Sequence, residues 1–170
     1  MLILTLQKPT QQEEQPISEG SNLMRTLLHP ARKSPVLTDL ALLVSRVALG
    51  VILVAHGWQK FNEWTLNGTA SAFSDMGIPA PVVAATFVTG VEIIGGLALI
   101  IGLLTPVVAV LNMFSLLGAL VLVHIEHGVF VADNGFELVL ALFAGLATIA
   151  MLGAGKFSTD GLLGRSALAG

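Results

Sequence analysis

The chain contains no cysteine, and charged residues make up only 11% of its 170 positions. Without a thiol, the protein cannot use its own side chains for disulfide exchange, thiolate-ligated iron–sulfur clusters or thiolate zinc sites. Ordinary soluble domains carry about 25% charged residues, so this scarcity of charge indicates that lipid is the solvent. The net charge of −3 and the lack of a basic stripe exclude nucleic acid as an expected partner.

Four apolar runs make up most of the sequence, at residues 40–60, 81–104, 107–123 and 138–155. A helix needs about 20 apolar residues to cross a bilayer. A soluble bundle would show charged outer faces, whereas the third run has only Asn112 and Ser115 as polar groups. We therefore predict an all-α fold, a four-helix transmembrane bundle, in which GTASAFSDMGIPAP forms a short interfacial segment between helices 1 and 2.

The distribution of charge predicts the orientation and the domain boundaries. Basic residues precede the first run and follow the fourth, whereas the loops on the other side are mostly acidic. The positive-inside rule then places both termini in the cytoplasm. Residues 1–36 lack a cleavage site and are predicted to form a disordered or interfacial cytoplasmic tail. Residues 37–156 are the predicted membrane domain, and residues 157–170 a cytoplasmic C-terminal tail.

Glu92 lies in the middle of the second apolar run. An ionisable group at that depth costs roughly 2.5 kcal/mol or more unless it finds a partner inside the protein. Arg46, in the first run, is the predicted partner, because a helical rise of about 1.5 Å per residue puts the two at depths that an arginine side chain can bridge. A functional pair and a purely structural ion pair are equally weighted alternatives.

Further polar residues gather at the outer ends of the predicted helices, where they can converge on one vestibule above the Arg46–Glu92 pair. The predicted ligand-binding set is Arg46, His56, Gln59, Lys60, Glu92, His124 and Glu137. The alternative is that the histidines bond to loop backbone and that Glu137 is stabilised by its helix dipole. Gly57, Gly95 and Gly96 are predicted positions of close helix packing.

Cofactor motifs give little support to a bound metal or nucleotide. A di-iron carboxylate bundle needs Glu-x-x-His pairs on two helices, and the sequence has none, so no metal site is predicted. A b-type haem between His56 and His124 is a disfavoured alternative. Nucleotide-binding glycine motifs are absent, and no catalytic residue is assigned.

Several segments occur in a recognisable order: RVALGVILVAHGWQKF, FSDMGIPAP, VEIIGGLALIIGLLTP, VLVHIEHGVF and NGFELVLALFAGLA. Across residues 40–160 this order resembles the DoxX family of small bacterial membrane proteins. The resemblance implies a four-helix integral protein of the bacterial inner membrane. It also implies that Arg46, His56, Lys60, Glu92 and Glu137 match recurring polar positions of the family. Relatives are linked to a quinone-coupled thiosulfate oxidation complex, to an oxidative-stress complex and to resistance to quinones and catechols.

The resemblance implies three functional hypotheses. In the first, the protein is an auxiliary subunit of a membrane redox or detoxification system, quinone-linked or tied to oxidative stress, and its polar pocket holds a quinone head group. In the second it is a small-molecule or proton-coupled carrier, although no inverted repeat is visible. In the third it is a non-catalytic membrane anchor for a soluble oxidoreductase. The expected partners are the lipid bilayer, a soluble or membrane oxidoreductase and a second copy in a homo-oligomer. Whether the chain is itself an enzyme is left open.

Overall fold

A computed structural model describes residues 24, 27–29 and 34–168 of the chain. The chain divides into two compact units, Met1–Pro35 and Val36–Gly170. Most of the first unit lies outside the described residues, and so does the predicted disordered or interfacial tail. The account below concerns the second unit and the helix that begins at its boundary.

Every regular element in the described part of the chain is a helix, which confirms the all-α prediction there. Three of the apolar helices contain a π-helical turn. The elements in order are α1 Pro35–Trp58, π1 Gln59–Glu63, α2 Thr65–Asp75, α3 Pro81–Gly90, π2 Val91–Gly95, α4 Gly96–Ile101, α5 Thr105–Ala119, π3 Leu120–His124, the 3-10 turns Ile125–His127 and Val131–Asp133, α6 Glu137–Leu152 and α7 Thr159–Leu168. The stretch predicted as an interfacial segment, residues 68–81, covers the greater part of α2 and the turn that leads to α3, and α2 packs against α3.

Local sequence explains where the apolar helices are interrupted. Pro81 stands at the first position of α3, where the missing amide donor costs nothing. The α4–α5 turn is tight because Gly102 and Leu104 both adopt left-handed backbone angles, with φ of 72° and 48°. Pro106 then occupies the first turn of α5.

Three helical segments are long and apolar enough to cross a membrane, judged by length and composition. They are Pro35–Glu63, Pro81–Ile101 and Thr105–His127, with mean hydropathies of 2.1, 2.0 and 2.3. The fourth apolar helix, α6, is shorter, at 16 residues. Apolar side chains also cover the outside of the bundle, since Ile94 is 70% exposed and Phe114 is 68% exposed. Such a surface would be unfavourable in water and suits lipid.

The four apolar helical segments share one core. Leu53 of α1, Leu99 of α4, Leu116 of α5 and Leu146 of α6 belong to a single buried cluster, and the last of these is fully buried. Both α5 and α6 contribute several of its members, and these two helices pack along each other. The core therefore ties the fourth, shorter helix to the three longer ones.

Glycines bring α1 unusually close to the second apolar segment. A Cβ atom at Gly96 would lie 2.8 Å from the carbonyl oxygen of Gly50 and 3.0 Å from the amide nitrogen of Val54. A Cβ atom at Gly57 would lie 2.9 Å from the Cβ of Glu92. Gly57 and Gly96 thus lie at a helix contact where a side chain does not fit, and this contact places Glu92 beside the end of α1.

We expect Gly96→Ala to lower the free energy of unfolding by about 1–3 kcal/mol, because the added methyl group pushes two backbones apart. Gly90 provides a matched control on the same segment, since a Cβ there meets nothing within 4 Å. Gly90→Ala should leave stability unchanged or raise it by up to about 1 kcal/mol through helix propensity. Denaturation by SDS in mixed micelles, followed by circular dichroism, measures both variants. Equal stabilities would show that the glycine contact is not tight.

Candidate functional site

A buried ion pair joins π1 to π2. The Nζ atom of Lys60 donates to both carboxylate oxygens of Glu92, at 3.0 Å to Oε1 and 2.8 Å to Oε2. It also donates to the carbonyl oxygen of His56 at 3.4 Å. The two charged side chains are only 14% and 8% exposed. Because an unpaired ion is costly in an apolar interior, each charge stabilises the other.

The predicted pairing of Arg46 with Glu92 is wrong. Arg46 takes part in neither of the two ion pairs found in the described part of the chain. Its guanidinium group is fully buried and donates to backbone carbonyls instead. Nη1 donates to Leu99 at 2.9 Å and to Ile100 at 3.4 Å, and Nη2 donates to Phe157 at 2.6 Å.

The helix register explains this difference. Glu92 lies against Gly57, which is 11 residues beyond Arg46 in the sequence, or about 16 Å along the helix. Arg46 lies instead at the end of α4, where the last carbonyl groups of a helix have no partner within it. A cation at this position satisfies those carbonyls and interacts favourably with the negative end of the helix dipole.

Each π-helical turn carries a polar residue of the predicted site. π1 contains Gln59 and Lys60, π2 contains Glu92, and π3 contains His124. A π-turn inserts an extra residue into the helix and occurs frequently at functional sites. Here the three turns place these side chains on the inward side of three different apolar segments.

The histidines bond to the backbone through the same ring atom. Nδ1 of His56 lies 2.8 Å from the carbonyl oxygen of Ile52, one turn earlier in α1. Nδ1 of His124 lies 2.7 Å from the carbonyl oxygen of Asn134, in the loop before α6. His127 bonds in the same way to Val123, at 2.8 Å. Among the described residues, no group of three or more His, Cys, Asp or Glu side chains is placed to hold a metal ion.

One cavity of about 520 Å³ brings most of the predicted site together. The predicted site residues on its wall are His56, Gln59, Lys60, Glu92 and His124. The rest of the wall is mostly apolar and comes from α1, α2, α3, α5 and α6. Arg46 and Glu137 do not line it. Glu137 accepts a hydrogen bond from the amide of Val131 at 2.8 Å, so its side chain holds the loop before α6.

Sequence reasoning did not include Ser115 in the site, although it lines the cavity and is 7% exposed. The available signal was that Ser115 is one of two polar residues in an otherwise apolar run. The other, Asn112, is fully buried and packs against Gly95 between α5 and π2. Gly95, predicted as a packing position, thus contacts the third apolar segment, whereas Gly57 and Gly96 lie between the first and the second.

A family model described as DoxX matches residues 41–125, which is half of the chain. The matched region contains the Lys60–Glu92 pair and all three π-turns. The chain belongs to the DoxX family.

Two of the relatives of this DoxX chain described here are membrane proteins by name, and a third is named an oxidoreductase. "Inner membrane protein YqjF" of Escherichia coli is 30% identical over 76% of this chain and 96% of its own length. "Uncharacterized membrane protein Rv3486" of Mycobacterium tuberculosis is 31% identical over 73% of this chain and 82% of its own length. "Putative oxidoreductase CatD" of Bacillus subtilis is 32% identical over 61% of this chain and 74% of its own length. No solved structure matches the chain. This DoxX chain is a membrane protein, and three of its described helical segments are apolar enough, by length and composition, to cross the bilayer.

The opposite end of the DoxX bundle is closed by the segment after α6. The carboxylate of Asp160 accepts hydrogen bonds from the amides of Leu104 and Thr105, at 2.7 and 2.8 Å, and so caps the start of α5. The amide of Asp160 donates to the carbonyl oxygen of Gly102 at 2.9 Å. Together with the bond from Arg46 to Phe157, these contacts hold the residues around the start of α7 against the α4–α5 turn. These hydrogen bonds close one end of the bundle. The cavity lies towards the opposite end.

Proposed function

We propose that this protein binds a small, lipid-soluble molecule with a polar head group, of the quinone type, in the Lys60–Glu92 cavity. In this proposal it serves as an auxiliary subunit of a membrane redox or detoxification system. The observation that carries the proposal is the cavity, whose volume of about 520 Å³ falls within the roughly 300–1,000 Å³ typical of ligand pockets. Its few polar groups cluster on a wall that is otherwise apolar.

The charges of the cavity favour a neutral ligand. Lys60 and Glu92 are close enough to cancel each other, so the site carries no strong net field for an ion. Apolar side chains such as Phe87, Leu116 and Leu138 offer contact area to a ring and its apolar substituents. A neutral aromatic head group therefore suits the site better than a charged metabolite does.

We further propose that α6 is the fourth membrane span. Its 16 residues cover about 24 Å, close to the roughly 30 Å hydrocarbon core. With four spans both termini lie on the same side, and the excess of basic residues next to them favours the cytoplasm. The cavity would then open towards the outer side of a bacterial inner membrane, and α2 would lie at that surface. A membrane or soluble oxidoreductase is the proposed protein partner, in line with the name of the relative CatD.

Filling the cavity tests the proposal. Gly118 lies on the cavity wall, and a Cβ there meets nothing within 4 Å, so Gly118→Phe can occupy the cavity without a backbone clash. Gly90→Phe is the matched control, since Gly90 has equal room and does not line this cavity. We expect mass spectrometry of protein purified in mild detergent to find a quinone-type molecule with the wild type and Gly90→Phe, and at least tenfold less with Gly118→Phe. Equal retention by all three, or none by the wild type, would refute the proposal.

The carboxylate provides a second comparison within the same experiment. Glu92→Gln keeps the shape of the side chain and removes the charge that Lys60 pairs with, so we expect weaker retention of the ligand. Glu63→Gln is its control, because Glu63 is exposed. Among the described residues, its carboxylate accepts one side-chain hydrogen bond, from Gln59 at 3.3 Å. Equal effects of the two substitutions would mean that the buried carboxylate has no part in binding.

A further inference from the structure

The two imidazole rings on the cavity wall are held in one tautomer. His56 and His124 each direct Nδ1 at a backbone carbonyl oxygen, at 2.8 and 2.7 Å. A carbonyl oxygen only accepts hydrogen bonds, so Nδ1 must carry the proton. In the neutral ring, Nε2 then has a free lone pair and acts as an acceptor.

Both acceptors are available to a ligand. Neither Nε2 atom forms a hydrogen bond with any part of the chain that the structure describes, and both rings line the cavity. Since Nδ1 faces the backbone in each ring, the Nε2 edge is the polar edge left for the cavity. These two atoms come from α1 and π3, so they approach the ligand from different helices.

The cation in the site offers no spare donor. An ammonium group has three hydrogens, and Nζ of Lys60 makes three contacts, two with Glu92 and one with the carbonyl oxygen of His56. Of the other polar groups on the wall, the Ser115 hydroxyl can either donate or accept, and the half-buried amide of Gln59 donates to Glu63 at 3.3 Å and keeps one further N–H. Trp64 and Asn134, which can donate, are exposed residues at the rim. The buried polar wall is therefore rich in acceptors and poor in donors.

We propose that this cavity selects a head group that donates hydrogen bonds, so that an aromatic diol binds in preference to the corresponding dione. The inference rests on the proposed function, because it concerns the ligand of the same cavity. The hydroxyl groups of a diol can donate to Nε2 of His56 and of His124. A dione presents only acceptors to these atoms, so its carbonyls and both imidazoles lose hydrogen bonds to water without replacement. In chemical terms, the site is built for a quinol and discriminates against its quinone.

Three probes with one ring skeleton separate donation from shape. Trimethylhydroquinone has two donors, trimethylbenzoquinone has none, and the dimethyl ether of the hydroquinone has the same ring without donors. Binding to the full-length protein in lipid nanodiscs is measured without oxygen, through quenching of tryptophan fluorescence. We expect the diol to bind at least about 10-fold more tightly than the dione and the ether, since each lost hydrogen bond costs roughly 2- to 10-fold in affinity.

Substitution by asparagine removes only the acceptor. Asparagine can keep a donor near the position of Nδ1, and it has no atom at the position of Nε2. His56→Asn and His124→Asn should each weaken diol binding about 3- to 10-fold and leave dione binding unchanged. His127→Asn is the control, because His127 bonds to the backbone in the same way at 2.8 Å and does not line the cavity.

The outcomes distinguish this inference from the function on which it rests. Tighter binding of the diol by the wild type, lost in His56→Asn and His124→Asn but kept in His127→Asn, supports the inference. Dione binding as tight as diol binding overturns it and leaves the proposed cavity function standing. If the wild type binds none of the three probes, both proposals fail. The wild-type comparison decides the matter even if a histidine variant does not fold.

Discussion

Replacing Arg46 by alanine is expected to lower the free energy of unfolding by about 3–5 kcal/mol, because hydrogen bonds from a charged group and the packing of a large buried side chain are both lost. The side chain is fully buried and makes three hydrogen bonds to the carbonyl groups of Leu99, Ile100 and Phe157. Alanine removes the guanidinium donors from these carbonyls, of which Leu99 keeps the bond from the amide of Gly102 at 3.2 Å, and it opens a cavity where two segments meet. Denaturation by SDS in mixed micelles, together with the yield of folded protein, measures the loss.

Two further variants identify the source of this effect. Arg46→Lys keeps the charge but has one ammonium group in place of the two guanidinium nitrogens that bond to the carbonyls of α4 and of Phe157. We therefore expect an intermediate loss of stability. Lys156→Ala is a surface control, since Lys156 is 58% exposed and lies 3.9 Å from Asp39. It should change stability by no more than about 0.5 kcal/mol. An Arg46→Ala variant as stable as this control would contradict the assignment of Arg46 as the link between the two segments.

Lys60→Met is expected to have the second large effect, because it leaves the carboxylate of Glu92 buried without its counter-ion. Removing one partner of a buried pair costs about 3–5 kcal/mol, whereas replacing both partners by apolar groups is often close to neutral. The double variant Lys60→Met/Glu92→Leu should therefore recover most of the stability lost by Lys60→Met. A double-mutant cycle in the same micelle assay measures the coupling between the two residues.

Ligand binding then separates folding from function in these variants. The stable double variant should retain less of its quinone-type ligand than the wild type, because the two buried charges of the cavity wall are gone while His56, Ser115 and His124 remain. If it retains the ligand at the wild-type level, the ion pair is only structural. If the double variant is as unstable as the sum of the two single variants, the two residues are not coupled and the contact contributes little.

The length and low charge of the apolar runs were enough to predict the helices, for a physical reason. Long uncharged runs such as the one around Asn112 have few stable alternatives to a helix in lipid, since every backbone group must be satisfied within the segment. Length alone does not fix the number of spans, because α6 has only 16 residues before Gly153 ends it. The membrane character therefore follows from the sequence more directly than the span count does.

The sequence was enough to predict most of the residues that line the cavity. It was not enough to predict which cation pairs with Glu92. His56, Lys60, Glu92 and His124 share one cavity because all four lie towards the same ends of antiparallel helices, which residue counting reveals. The predicted partner of Glu92 is wrong because an estimate of depth from residue numbers assumes regular helices. It also assumes that two neighbouring helices can slide to any register. The register is set by glycine contacts such as that at Gly57, and π-turns change the rotation of each helix beyond them. A single sequence marks such glycines as packing positions but does not show which residue each one contacts, and the π-turns have no signature in it.

The contact between Arg46 and Phe157 connects residues that leave the ribosome far apart in time, 111 positions from each other. During synthesis, Arg46 is made long before Phe157 and Asp160, so Nη2 of its guanidinium and the first amides of α5 wait for their partners until the segment after α6 has been added. A chain that terminates before Phe157 would carry these unsatisfied groups permanently. Membrane quality-control proteases would then have a physical basis for distinguishing chains that lack this segment from chains that contain it.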